Sequence, residues 1–159
     1  MIVVADTSPL NYLLLVGAVD VLHALFDRVV VPPAVVSEMM HSKAPEVVRA
    51  WVAAPPEWLE IIAPQRLAEA PEDLGSGERA AVSLAIEMGA DVVLLDDRRG
   101  VEFAEALRLR KIGTLGVLEL AGQSKLIDFG QVVTQLRETN FRYPSHLIDE
   151  ALRRNERLG

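Results

Sequence analysis

Short, continuously apolar runs alternate along this chain with longer stretches whose apolar positions recur every three or four residues. The short runs at 2–5, 29–31 and 92–95 read as strands buried on both faces, and weaker ones lie at 59–62 and 111–113. The periodic stretches predict helices over 9–16, 19–26, 33–41, 46–53, 77–88, 99–107 and 115–124. Strand and helix in strict alternation is the pattern of βαβ units around a parallel sheet. Punctuation agrees: Pro32-Pro33 stops the second strand and starts a helix, and Gly89-Ala90 stops the helix before the fourth strand. Residues 57–73, with Pro64 and Pro71, predict a strand followed by a mobile surface connection. After Asp128 the pattern becomes two amphipathic helices, 129–139 and 144–158. The expected organisation is therefore a main domain over 1–127 and a helical extension over 128–159 packed on it.

Composition narrows the class. A chain of 159 residues, 50% hydrophobic and 25% charged, can bury a sizeable core as one domain. There is no cysteine, which excludes a disulfide framework and a thiolate metal site. The first residues are strand-like and carry no basic leader, and no apolar run approaches the ~20 residues of a membrane span. A soluble cytoplasmic protein is the expectation. The net charge of −7 argues against a broad nucleic-acid surface, yet residues 1–97 hold 5 basic against 15 acidic residues while 98–159 hold 11 against 8. The second half could face an anion.

Chemistry concentrates in carboxylates placed at or near strand ends: Asp6 after Ile-Val-Val-Ala, Glu38 in the helix after Pro32-Pro33, Glu78 after Gly-Ser-Gly, and Asp96-Asp97 after Val-Val-Leu-Leu. In an open α/β sheet the carboxyl ends of the strands border one crevice, so acids far apart in sequence can meet there. Gathered together they repel, and their joint ionisation at neutral pH calls for a cation. Oxygen-only ligation points to Mg²⁺ or Mn²⁺ rather than Zn²⁺. His23, His41 and His146 lie outside every acidic motif and read as structural or surface residues. Each acid also has an ordinary explanation: Asp6 as a helix N-cap, Glu38 as an exposed side chain, Glu78 as a charge at a helix N-terminus, and one of Asp96-Asp97 as a cap.

Taken in order, Val-Val-Ala-Asp-Thr-Ser-Pro-Leu, Val-Val-Pro-Pro-Ala-Val-Val-Ser-Glu, Gly-Ser-Gly-Glu-Arg-Ala-Ala and Val-Val-Leu-Leu-Asp-Asp-Arg-Arg resemble a PIN domain, over residues 2 to about 124. The nearest resemblance is to a bacterial and archaeal branch similar to VapC-type toxins, which also shows a run like Gly-Thr-Leu-Gly-Val-Leu at 113–118. The resemblance implies a three-layer α/β/α fold with a central parallel sheet and a Mg²⁺- or Mn²⁺-dependent ribonuclease. It assigns Asp6, Glu38, Glu78 and Asp96 as catalytic, with Asp6, Glu78 and Asp96 as metal ligands and Asp97 as an auxiliary. Glu78 stands where better-known members often have Asp, and Leu94 where many have Thr.

On this basis Ser8 would support Asp6 through a hydrogen bond, and Arg98 and Arg99 would guide the RNA backbone. The resemblance further implies a possible antitoxin protein partner and a homodimer. Two other classes stay open: a PIN-like binding protein without catalysis, and a receiver-like Mg²⁺-binding phosphoacceptor module. The second fits less well because Asp6 stands alone after its strand and the last strand leads to Gly113-Thr114 rather than to a Lys.

Overall fold

The structure, a computed structural model, describes residues 1–158. Five strands, β1 (Ile2–Ala5), β2 (Arg28–Val31), β3 (Leu59–Ile61), β4 (Val92–Leu94) and β5 (Lys111–Ile112), form one sheet in the order β3-β2-β1-β4-β5. Every neighbouring pair is parallel. The expected strands are therefore all present, and the weak ones at 59–62 and 111–113 sit at the two edges, where fewer ladder bonds are needed. The chain runs outward to one edge, returns past β1, and fills the other side. That reversal makes a crevice at the carboxyl ends of β1 and β4.

Helices cover both faces. They are α1 (Thr7–Leu15), α2 (Val21–Leu25), α3 (Pro33–Met39), α4 (Glu46–Ala53), α5 (Ser76–Met88), α6 (Arg98–Ala106), α7 (Thr114–Gln123), α8 (Phe129–Arg137) and α9 (Ser145–Leu158). The α1 helix begins two residues before its expected start. Pro9 falls in the first turn, where a missing N–H costs nothing because those amides have no partner within the helix.

Side-chain alternation divides the core into two layers. Val3, Ala5, Val29, Val31 and Leu94 pack among α1–α4 and α7–α9, while Val4, Val30, Val93 and Leu95 pack against α5 and α6. The result is the three-layer α/β/α sandwich expected from the sequence. The same alternation aims the functional positions. Asp6 follows Ala5 and so leaves β1 on the α5 side, whereas Asp96 follows Leu95 and turns toward the start of α7.

Two features differ from a simple reading of the pattern. The segment after β3, expected to be mobile, is strapped to α5: Gln65 N and Arg66 N donate to the Glu87 carboxylate at 2.9 and 2.7 Å, and Ala68 N donates to Ser83 Oγ at 2.9 Å. Arg79 Nε returns a bond to Ala68 O at 2.7 Å. The helices after Asp128 are part of the main core, since Phe129, Val133, Leu136, Ile148 and Ala151 are buried in the layer that contains Val3, Leu13 and Leu118. Contact is close enough that a Cβ at Gly122 on α7 would lie 2.9 Å from the Phe129 Cβ.

If the last two helices complete the core, Phe129→Ala should cost about 3–5 kcal/mol. Urea denaturation should then show one transition with a lower midpoint and an unchanged slope. A variant as stable as the wild type would place these helices outside the cooperative unit.

Candidate active site

Asp6 occupies the N-cap position of α1 in an extended conformation, but its side chain makes no capping bond. The capping explanation therefore does not account for it. The residue is only 3% exposed, and its Oδ1 is buried without a hydrogen-bond partner. Its backbone N–H donates to Leu94 O at 3.0 Å, which pins the ends of β1 and β4 together and brings Asp6 beside the strand that delivers Asp96. A buried ionised carboxylate must be paired, bonded or neutralised. Asp6 is held mainly in its protonated form: burial pushes its carboxyl up to about 8, opposed by the Thr7 N–H and assisted by the charges of Glu78, Glu38 and Asp96.

The remaining acids reach the same place from three directions. Glu38 on α3 is fixed at both oxygens, because Thr7 Oγ1 donates to Oε2 and Gly77 N donates to Oε1 at 3.1 Å. A Cβ at Gly77 would lie 2.6 Å from Glu38 Oε2, so only glycine lets the first turn of α5 approach this carboxylate. Asp96 is likewise held at both oxygens by one residue: Thr114 N donates to Oδ1 at 2.8 Å and Thr114 Oγ1 to Oδ2 at 2.6 Å. Burial raises the Asp96 pKa and these two bonds oppose the rise.

Glu78, in the first turn of α5, has a buried Oε2 without a partner. It lies against Gly100, where a Cβ would sit 3.0 Å from that oxygen. Its pKa is pushed up to about 7 by burial, by the charge of Asp97 and a hydrogen bond with it, and by Glu38, with Arg99 opposing. Asp97 has a second task as the cap of α6, accepting from Arg99 N at 3.0 Å.

Glu38, Glu78 and Asp96 thus all lie within electrostatic reach of Asp6, and the four acids fall into two kinds. Glu38 and Asp96 have both oxygens bonded by protein donors. Asp6 and Glu78 each keep one buried oxygen with none. Among the described residues no three acids or histidines stand close enough, as placed, to enclose one ion. Two orphaned carboxylate oxygens in one acidic crevice are nonetheless oxygen donors of the kind a hard divalent cation takes.

The supporting residues are placed differently from expectation. Ser8 makes no hydrogen bond to Asp6; it lines an adjoining cleft of about 230 Å³ together with Tyr12, Asp96, Asp97 and residues 140–142. The hydroxyls that hold the acids belong to Thr7 and Thr114. Thr114 is fully buried and opens α7 one intervening residue after β5, so a hydroxyl reaches Asp96 from the start of that helix rather than from position 94. Asn11 Oδ1, one turn beyond Thr7 on α1, is a further buried oxygen without a partner. Arg98 pairs with Glu102 at 3.0 Å, and Arg99 pairs with Asp73. Both guanidinium groups are therefore engaged in exposed ion pairs, while the Arg99 charge also reaches Glu78.

The model of a PIN-domain family matches residues 2–157. No curated protein matches the chain by sequence. The match runs through α8 and α9 as well as the five-stranded sheet, so the two terminal helices are within the family's pattern rather than an appendage to it. With a parallel sheet in the order β3-β2-β1-β4-β5 and four acids gathered at the ends of β1 and β4 and the starts of their neighbouring helices, the chain belongs to the PIN-domain family and has a nuclease-type fold.

Proposed function

We propose that this protein is a Mg²⁺- or Mn²⁺-dependent ribonuclease that hydrolyses phosphodiester bonds, with Asp6, Glu38, Glu78 and Asp96 as its catalytic acids. The observation that carries this reading is the pairing of two orphaned, buried oxygens, Asp6 Oδ1 and Glu78 Oε2, with two carboxylates that the protein itself holds in place. Asp6, Glu78 and Asp96 would hold the cation. When bound, it would activate a water for in-line attack and offset the charge that develops on the phosphorane-like transition state.

The chain's own residues prepare that site. Thr114 fixes the rotation of Asp96 through two bonds, so its free lone pairs point in one direction. Thr7 and Gly77 fix Glu38 beside Asp6 without letting the side chain swing away. Asp97 acts through Glu78, whose carboxyl its neighbouring charge pushes up. Ser8, off the acids, borders the cleft through which a strand would enter.

A place as the toxin of a toxin–antitoxin pair, restrained by an antitoxin protein and acting as a cytoplasmic homodimer, completes the proposal. It is supported by the likeness of the Asp6, Glu38, Glu78 and Asp96 motifs to VapC-type toxins.

Two predictions follow from the acids. Because the folded-state carboxyls of Asp6 and Glu78 titrate near 8 and 7, above their ordinary 3.8 and 4.5, their contribution to stability is complete below about pH 4 and is lost as pH rises through 7 to 8. Metal-free protein should therefore melt at a lower temperature at pH 8 than Asp6→Asn does, with the difference shrinking toward pH 4. Mn²⁺ should raise the wild-type melting temperature most at pH 8 and leave Asp6→Asn nearly unmoved. Equal, cation-insensitive melting of the two proteins across this range would contradict the assignment.

In a cleavage assay on single-stranded RNA, Asp6→Asn, Glu78→Gln and Asp96→Asn should each lower the metal-dependent rate by more than about 100-fold. Thr114→Val should lower it about 10- to 100-fold, and Thr114→Ser should recover most of the loss. Undiminished cleavage in the three acid variants would remove the proposal.

A further inference from the structure

The acid crevice repels the substrate it is proposed to cut, so a cation of the protein's own should lie beside it. The basic residues nearest in sequence do not serve: Arg98 and Arg99 are paired with Glu102 and Asp73, and on the last helices Arg137 and Arg154 are paired with Asp149 and Glu119. Arg142 differs. It lies in the connection between α8 and α9 and lines the cleft that Asp96 and Asp97 also line. Among the described residues it has no carboxylate within ion-pairing distance.

The connection that carries Arg142 is built rather than loose. Thr139 Oγ1 donates to Leu136 O at 2.6 Å and accepts from Phe141 N at 3.1 Å, closing the end of α8. The Phe141 ring meets Tyr12 of α1 edge to face at 5.0 Å and stacks on Tyr143 at 5.8 Å. Arg142 is therefore flanked by two aromatic residues that pack on each other, one of them pinned to the helix that follows Asp6. Tyr12 lines the cleft with Asp96 and Arg142 and lies within the electrostatic reach of both. Asn140 contributes an amide to the same cleft.

A guanidinium, a phenol and an amide beside paired carboxylates match the parts of one nucleotide: an anion for Arg142, and a sugar or base edge for Tyr12 and Asn140. At about 230 Å³ the cleft is smaller than pockets that enclose drug-sized ligands, and suits one unit of a strand passing through. We propose that this cleft seats the nucleotide next to the scissile phosphate of a single-stranded RNA, with Arg142 binding that nucleotide's phosphate. The inference rests on the ribonuclease reading for its substrate and goes beyond it in naming the residues that grip the strand.

The test is binding of a fluorescein-labelled single-stranded RNA to Asp6→Asn protein in Mg²⁺, followed by anisotropy over a range of KCl concentrations. Adding Arg142→Ala should weaken binding about tenfold and make the dependence of log K on log salt shallower by about 0.7, the signature of one lost phosphate contact. Arg142→Lys should keep the steeper slope and part of the affinity. The melting temperature should not change. In otherwise wild-type protein, Arg142→Ala should raise KM for cleavage and leave kcat within about twofold. Unaltered affinity and slope in Arg142→Ala, or no RNA binding by the parent, would overturn the inference. The two proposals separate cleanly: cleavage that ignores Arg142 leaves the ribonuclease standing without this subsite, and Arg142-dependent binding without any cleavage leaves the subsite without the ribonuclease.

Discussion

The burial of one carboxylate, Asp6, beside three partly buried ones is the constraint on which this structure turns. Asp6 sits at 3% exposure with Glu78, Glu38 and Asp96 all near enough to raise its pKa. Such a cluster is unfavourable for a fold that has only a modest stability to lose. The chain deals with half of it internally. Glu38 and Asp96 receive hydrogen bonds from Thr7, Gly77 and Thr114, and at Asp96 these bonds oppose the rise that burial causes. Asp6 and Glu78 are left with an oxygen each that nothing satisfies. A site whose acids were all satisfied by protein donors would be more stable and would have nothing to offer a cation. The division between held and unheld acids is what the proposed cation site rests on, and local destabilisation of this kind is a common property of functional sites.

The sheet was legible because its strands are short, apolar on both faces and separated by clear turn residues, so residues 2–5, 29–31 and 92–95 needed no long-range information. Asp6 and Asp96 were legible for the same reason: each follows such a strand directly, and the parallel topology that the alternation predicts brings strand ends to one edge. Their supports were not. Thr7 and Thr114 look like ordinary helix-start residues, and Ser8 was the hydroxyl expected to bond Asp6. Which of Thr7 and Ser8 faces the crevice depends on the rotation of α1, fixed by where the helix begins, and α1 begins two residues before the expected position. Thr114 finds Asp96 only because β5 pairs with β4, a contact across 18 residues.

Arg98 and Arg99 follow the acidic pair at once, and once Asp97 has capped α6 their side chains pair with Glu102 and Asp73, with the Arg99 charge still reaching Glu78. The free guanidinium beside Asp96 comes instead from residue 142, after the chain has passed through three more helices and returned. No local pattern marks it. The strapping of residues 65–68 to Glu87 and Ser83 escaped for a similar reason, since proline and weak periodicity report the lack of a repeating element and say nothing of side-chain partners on a later helix.

The terminal helices tie stability to the site. Phe129 and Leu136 of α8 and Ile148 of α9 fill the layer beneath α7, and Gly122 allows α7 to lie close against Phe129. The first residue of that same α7 is Thr114, which orients Asp96, and Gly113 before it is small enough to leave room for Asp96 Oδ1, 2.9 Å from where a Cβ would stand. The connection between α8 and α9 then closes over Tyr12 and forms the wall opposite the acids. The packing that completes the core therefore also sets the position of one acid and the width of the cleft beside it. A loss of apolar contact under α7 would reach the crevice through Thr114 without touching any carboxylate, so the extension and the acids of the crevice are parts of one mechanical unit.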